Sequence, residues 1–519
     1  MACPADPLPN GLLANGFCAF ELPVSLNEPR SIIALDESRV LALERRTNSV
    51  VLLEDSDQDG IADTRRQLVS ASRLNHGLAL HGGYIYASSD TIVYRWSYND
   101  DESFSNIGPV EIVINNINAD GQGGAPEGHT TRTLAFDSQG RLYVSVGSNQ
   151  NVDPDSVRSR IRRFPDLSDP SIFPIDFLTA EVFADGLRNE VGLAFDRHGV
   201  LWGVENGADR LRRSDLGGDI TNDNPAEELN RFPEDIAGSH FGYPYCWTEY
   251  SLPEQYQMGR GTAWAWPSFL EAGTVTDEDC RQNYLGPEIS MQAHSAPLGI
   301  TFYEFQSAQN RSSECGDGAF PAEMDGYAFI GFHGSWNRDV PTGYKVVYVP
   351  MDENGRATGQ PVDLLAHRGS GARWPDGFRP VDVDFDACGR LLVSSDGTRS
   401  MGSGSKLVRI EYHGEFTVSA FPSKSPDSPG ITGPPSLFSA PYTSHEPSMT
   451  TEDLSFNPTA SPTPFDPTRS ESKSLVSRLH CACRLLMSTL KLYFSLVPGC
   501  PSLSRYGCCS HSYWYGVAK

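Results

Sequence analysis

No stretch of this 519-residue chain approaches the 18 consecutive apolar residues that a membrane-spanning helix needs, so the sequence supplies no such helix. Basic charge is also scarce: 41 Lys and Arg stand against 66 Asp and Glu, a net charge of −25 and a pI near 4.8. Without a basic field nothing attracts a phosphate backbone, which excludes a nucleic-acid partner. The start, MACPADPL, lacks a basic region followed by an apolar core. No signal peptide is visible there, and we read the start as truncated or short of its first exon.

What the chain does have is glycine and proline, 48 and 37 residues, within a composition that is 39% hydrophobic. That mixture suits a large core built from many short strands and turns. One short theme recurs six times: SIIALDESRVLAL from Ser31, GLALHGGYIYAS from Gly77, TLAFDSQGRLYVS from Thr133, GLAFDRHGVLWGV from Gly192, GITFYEF from Gly299 (resumed at GYAFIGF after an insert) and VDVDFDACGRLLVS from Val381. Each alternates apolar with small or polar residues on both sides of a Gly, Asp or Ser turn, the pattern of a hairpin of half-buried strands. Recurrence at about 45 to 60 residues marks a propeller, solenoid or array. Six four-stranded blades close a ring without edges. The expected fold is therefore all-β, a six-bladed β-propeller over residues 21–415, with residues 1–20 as a lead-in. Residues 416–471, rich in Ser, Thr and Pro, read as a solvated linker, and residues 472–519 as an unstructured, cysteine-containing tail. The acidity belongs to the propeller: residues 1–415 hold 33 Lys and Arg against 60 Asp and Glu, a net −27.

The cysteines divide at the same boundary. Cys3, Cys18, Cys246, Cys280, Cys315 and Cys388 lie in the repeats or their lead-in, with no CxxC pair, which favours disulfides over zinc. Of the fifteen pairings that six cysteines allow, we expect Cys3 with Cys18, Cys246 with Cys280 and Cys315 with Cys388. The sequon Asn310-Arg311-Ser312 adds a glycosylation site of the kind found on secreted chains. The tail holds five more cysteines, Cys481, Cys483, Cys500, Cys508 and Cys509, an odd number to which no function is assigned.

In a propeller, residues just before each innermost strand project into the mouth of the central channel. Those positions hold Arg30, His76, His129 with Arg132, Arg188 with Asn189, His294, and Arg379. Arg is almost never buried without a partner. A ring of Arg and His on an acidic body therefore implies a local anion carrying several carboxylates or phosphates. A second signal, Asp55, Asp57, Asp59, Gly60 and Asp63, has the alternating carboxylates of a calcium loop. Arg66 stands where a bidentate Glu would be needed, so an EF-hand is excluded, leaving a partial calcium site or an acidic surface turn.

Eight ordered segments carry a resemblance: GHTTRTLAFDSQGRLYVSVGSNQNVD, GLRNEVGLAFD, LWGVENGADRL, NPAEELN, FGYPYCW, AHSAPLGITFY, HGSWNRDVPTGYKVVYVP and PDGFRPVDVDFD. Together they resemble the fungal pyrroloquinoline quinone (PQQ) dependent pyranose dehydrogenases, which are similar to sorbosone dehydrogenases and, more distantly, to soluble bacterial glucose dehydrogenases. The resemblance covers about residues 20 to 413. It implies oxidation of an aldose or ketoaldose at the anomeric carbon, with PQQ held on a calcium ion at the channel mouth. It implies His129 as general base, with a neutral imidazole suited to taking the sugar hydroxyl proton. Arg188 and Asn189 match a pair that polarises the quinone. Gly207 and Ala208 match backbone carbonyls that hold calcium. Arg379 matches a partner for a PQQ carboxylate; a second Arg of the same run is Val381 here, for which Arg338, or less directly Lys345, would substitute. His294 is implied as a substrate contact or second base, and His76 and Arg132 as cofactor contacts, while Arg30 reads equally as a surface residue. The partners implied are a sugar such as L-fucose, glucosone or sorbosone and a separate electron acceptor such as a cytochrome b domain protein. A calcium-dependent lactonase and a non-catalytic sugar-binding propeller are the alternatives, but the first lines its channel with carboxylates and the second needs no base.

Overall fold

The computed structural model describes residues 3, 7–57, 62–98, 104–117, 128–154, 157–307, 311–312, 315–398 and 404–414. The expected linker and tail, the sequon Asn310 and the loop residues Asp59 and Gly60 lie outside them.

The repeated Asp explains the hairpins. Asp36, Asp137, Asp196 and Asp386 each follow an inner strand and turn a carboxylate back to accept two backbone N–H groups: Ser38 and Arg39, Gln139 and Arg141, His198 and Val200, Cys388 and Arg390. This side-chain turn fixes the reversal without a tight glycine pair. Arg39, Arg141 and Arg390 then close on the same carboxylates at 2.5–2.7 Å.

Each hairpin opens a four-stranded antiparallel blade, and the structure is a six-bladed β-propeller. The innermost strands are Pro29–Ala34, Leu78–His81, Leu134–Phe136, Glu190–Phe195, Pro297–Phe302 and Pro380–Phe385. Neighbouring innermost strands crowd at the axis. A Cβ on Gly77 would sit 2.2 Å from the Arg132 carbonyl oxygen, and one on Gly299 2.6 Å from the Asp382 Cα. That close approach is why the theme so often begins with glycine. Apolar clusters such as Leu41, Leu52, Ile85 and Trp96, or Ala135, Tyr143, Phe183 and Phe232, fill the spaces between blades.

Closure differs from the expected boundary. Phe17–Leu22 is not a lead-in: it pairs antiparallel with Ser405–Tyr412 as the outer strand of blade six, and Gly11–Leu13 adds to blade five beside Val362–His367. Edge strands leave N–H and C=O groups unpaired, and here the residues before blade one supply the pairing for blades five and six. Side chains reinforce the seam. Asp382 accepts from the Ile32 N–H at 3.0 Å and Asp384 from the Ala34 N–H at 2.9 Å, joining blade six to blade one.

All three expected disulfides form. Cys3–Cys18 anchors the closing strand; Cys315–Cys388 ties the blade-five insert to the blade-six hairpin. Cys246–Cys280 pins the helix Asp277–Asn283 to the hairpin Cys246–Thr248 and Ala263–Ala265. Cys315→Ser with Cys388→Ser opens a sequence separation of 73 residues. Chain-entropy arguments put the loss at about 4 kcal/mol, to be read from the midpoint and slope of denaturant unfolding together.

Candidate functional site

His129 stands just before the innermost strand of blade three. Its Nδ1 lies 2.9 Å from the Ser148 carbonyl oxygen. A carbonyl only accepts, so Nδ1 carries the proton and Nε2 keeps an open lone pair. Burial first, then the charges of Arg188 and Arg132, lower the His129 pKa to about 3, so the ring is neutral at neutral pH. Gly147 makes room beside it: a Cβ there would meet the Asn189 Oδ1 at 2.4 Å and the His129 Cβ at 2.8 Å. Asn189 is buried and its Oδ1 has no hydrogen-bond partner. Such an orphaned buried amide oxygen leaves a place for a ligand to complete the bonding.

Arg188 is committed to the surrounding loops. Its Nη1 donates to the carbonyl oxygens of Asn206 at 3.1 Å and Gly207 at 2.6 Å, and its Nη2 to Asn151 and Asp209, each at 3.1 Å. Asp209 in turn accepts from the Asn337 amide, which lies 3.4 Å from the His294 Nδ1. His294 donates from Nε2 to the Thr221 carbonyl at 2.6 Å. Both ring nitrogens of His294 are therefore engaged, and it presents no free lone pair for a base. Gly207 and Ala208 line a void of about 30 Å³ with Arg188, Glu205 and Glu228. One lone pair of the Gly207 carbonyl oxygen serves Arg188, leaving the other for a cation.

A second cluster sits at the seam between blades five, six and one. Asp396 accepts from Arg30 at 2.7 Å, from Arg45 at 3.3 Å and from the His333 Nε2 at 2.7 Å. Burial alone would raise the Asp396 pKa, but His333, Arg30 and Arg45 overcome it and hold the carboxyl well below the usual range. Arg379 donates to the carbonyl oxygens of His333 and Gly334, each at 3.1 Å, and lies over the Tyr344 ring. Arg30, Arg45, Arg373 and Arg379 line one cavity of about 790 Å³, with Trp336, Tyr344 and Trp374 among its walls and Asp396 as its carboxylate among the described residues. Leu298 borders both this cavity and a narrower axial channel of about 210 Å³.

Several expectations change. Arg30 is no surface residue; it is 4% exposed and paired with Asp396. Arg132 is fully buried, its guanidinium spent on the carbonyl oxygens of Asp90, Thr131 and His129, so it supports His129 rather than facing a cofactor. His76 is also buried, against the Arg30 guanidinium, and lines the axial channel rather than the mouth. Arg338 is held by Asp223 at 2.7 Å, and Lys345 by Asp363 at 2.6 Å. Of the predicted ring, only Arg30 and Arg379 line the large cavity, while the loop His333–Arg338 links that cavity to the Arg188 network through Asn337. Sequence reasoning passed over His333, Asp396, Arg45 and Arg373. The available signal was an acidic residue ending the buried strand Leu391–Asp396. Asp55, Asp57 and Asp63 do bring one oxygen each within 4.8 Å of one another.

A family model described as TrAA12-like matches residues 12–402. A pyrroloquinoline quinone-dependent sugar dehydrogenase of Hypocrea jecorina (strain QM6a) is 32% identical over 425 residues, 75% of this chain and 88% of that one. A pyrroloquinoline quinone-dependent pyranose dehydrogenase of Coprinopsis cinerea is 28% identical over 428 residues, 76% of this chain but 55% of its own, so this chain spans about half its length. The holo form of the Coprinopsis cinerea PQQ domain superposes with a TM-score of 0.65 at 27% identity, covering 79% of this chain and 99% of that domain. A calcium structure of a Trichoderma reesei carbohydrate-active enzyme of family AA12 gives 0.64 at 30% identity, covering 78% and 97%.

Because burial depresses the His129 pKa, the imidazole stays neutral as pH falls from 8 through the ordinary histidine range. Long-range ¹H–¹⁵N spectra should show an Nδ1–H tautomer with unprotonated Nε2 down to about pH 4. A midpoint near 6.5 would show a solvated, uncommitted ring.

Proposed function

The chain belongs to the TrAA12-like family, and from that premise we propose that it is a PQQ-dependent sugar dehydrogenase, an oxidoreductase acting on an aldose or ketoaldose at the anomeric carbon. One observation carries the reading: a neutral histidine with a free Nε2 stands beside the orphaned Asn189 amide, on a ring whose mouth cavity sets four arginines against one carboxylate.

Those residues fit the cofactor. PQQ is a flat aromatic molecule bearing three carboxylates, and a cavity of about 790 Å³ walled by arginines and aromatic rings offers both charge and stacking surface. Arg379 and Arg30 would hold carboxylates, the Asn189 amide N–H would donate to the quinone while its orphaned Oδ1 would accept from a sugar hydroxyl, and the oxygens of Gly207 and Ala208 would hold calcium. When bound, PQQ supplies the electron sink for the hydride that leaves the anomeric carbon, and calcium the positive charge that favours reduction.

The remaining work falls to the protein. His129 takes the proton of the anomeric hydroxyl at Nε2, with Ser148 and Arg132 holding the ring in register. Arg188, clamped between Gly207 and Asp209, fixes the geometry of Asn189 beside it. Trp336, 69% exposed at the cavity wall, offers a face for the sugar ring. We take L-fucose, glucosone and sorbosone as the substrates to try, a cytochrome b domain protein as the electron acceptor, and secretion as the destination, which the three disulfides support.

Adding PQQ and calcium to apoprotein should produce sugar-dependent dye reduction. His129→Ala should keep PQQ binding and lose at least about a hundredfold in kcat. An unchanged rate would remove His129 as the base, and no cofactor-dependent activity with any of the three sugars would remove the dehydrogenase reading.

A further inference from the structure

Among the described residues, the two most exposed large apolar side chains stand in one loop: Trp336 at 69% and Val340 at 70%. Both lie in residues 333–344, the connection between the strands Ala328–Phe332 and Lys345–Val349 of blade five, and Trp336 borders the large cavity. Single apolar residues scattered over a surface need no explanation. A Trp and a Val this open on one short loop, beside the cavity where the chemistry is placed, mark a surface that another molecule covers.

The loop is not slack. The His333 and Gly334 N–H groups donate to the carbonyl oxygens of Ala296 and Ser295 at 2.8 and 2.9 Å, and the Ser335 N–H closes the neck on the Thr342 carbonyl oxygen at 2.9 Å. The Thr342 N–H donates back to the Ser335 Oγ at 2.9 Å. Arg338 is tied to the Ala293 carbonyl oxygen at 3.2 Å and to Asp223 at 2.7 Å, and the Asp339 N–H donates to the Asn222 Oδ1 at 3.2 Å. At the base, Tyr344 holds a φ of 57°, a strained value for a bulky residue, and its ring lies against Gly334, where a Cβ would fall 2.3 Å from it. Strain of this kind persists only where the surroundings over-determine the conformation. Trp336 and Val340 are thus presented on a fixed frame, and a partner that covers them has little loop entropy to remove.

Charge selects the kind of partner. The loop's own cation, Arg338, has a side chain only 10% exposed because Asp223 holds it, whereas Asp223 is 49% exposed and Asp339 lies open. The propeller behind them carries 33 Lys and Arg against 60 Asp and Glu. What the loop shows to solvent is therefore an apolar tip with negative charge around it. We propose that the Trp336–Val340 loop is the docking surface for a cationic carrier protein that accepts one electron at a time on a haem iron. This rests on the dehydrogenase reading: each sugar oxidised leaves two electrons on the quinone, two ferric carriers are reduced in turn, and two protons pass to solvent as quinol returns to quinone. The acidic field steers the carrier in and the apolar tip holds it briefly, the small and weak contact typical of redox encounters. Because Trp336 also borders the cavity, a carrier seated on the loop sits next to the cofactor it empties.

Two acceptors separate docking from chemistry: dichlorophenolindophenol, a small dye that needs no docking surface, and cationic ferricytochrome c. In protein loaded with PQQ and calcium, Val340→Lys and, separately, Asp339→Lys should lower kcat/KM for ferricytochrome c at least about tenfold and leave dye reduction within about twofold. Added salt should slow the parent with ferricytochrome c, and anionic ferricytochrome b5 should be the poorer acceptor. Docking is read without turnover from the line broadening of ¹⁵N-labelled ferricytochrome c by PQQ-free protein, which Val340→Lys should abolish. Equal ferricytochrome c rates in the parent and both variants, dye and cytochrome rates that fall together, or faster reduction of ferricytochrome b5 would overturn the surface. So would self-association of the parent that Val340→Lys abolishes, which would give the loop to a second copy of the chain. Docking with no dye reduction would sink the dehydrogenase reading alone.

Discussion

The carboxylate of Asp396 holds three blades to one point. It ends the second strand of blade six, yet its partners come from blade one, through Arg30 and Arg45, and from blade five, through His333. A ring has no seam in principle, but a chain has two ends, and the seam falls here. Taking one member from a buried network of this kind typically costs 3–5 kcal/mol, because the charges left behind cannot be rehydrated. Arg30 and Arg45 keep their positions at the large cavity because this acid is ionised beside them.

The electrostatics of the mouth are divided by blade. Arginines gather at blades five, six and one, where a carboxylate ligand fits, while blade four brings three glutamates together behind the Gly207 loop. Between these poles runs the polar chain Arg188–Asp209–Asn337–His294. A propeller allows this separation because each blade contributes its own loop to a shared face. Opposite charges can then sit on one mouth without being neighbours in sequence or cancelling one another.

The fold was legible in the repeats because the physics behind them is local. An Asp turn, an apolar alternation and a small residue at the crowded axis are each encoded within a dozen residues, as from Thr133 to Ser145. The three disulfide pairs are those expected among the fifteen possible. The site was legible only in part. His129 was named from its place before an inner strand together with the resemblance, and the structure gives it a partly buried ring with Nδ1 on the Ser148 carbonyl oxygen. Arg132 and His76 hold equivalent positions but turn inward, and nothing in their own segments shows that the carbonyl of Asp90 or the guanidinium of Arg30 awaits them. Asp396 and His333 escaped for the converse reason: one ends and the other follows a second strand, and their meaning lies in partners up to 366 residues away. Phe17–Leu22 looked like a preamble because its hydrogen-bonding partner, Ser405–Tyr412, is at the far end of the propeller.

That pairing also sets a timetable. The outer strand of blade six leaves the ribosome ahead of the rest of the ring, and its mate emerges roughly 390 residues later; at a synthesis rate of about 5–20 residues per second it waits some 20 to 80 seconds. During that interval an apolar strand with unpaired N–H and C=O groups is an invitation to the wrong partner. Cys3–Cys18 crosslinks this strand to the segment ahead of it, a bridge available before the propeller exists. Oxidation of this pair would give the waiting strand a partner of its own, well ahead of the ring it eventually closes.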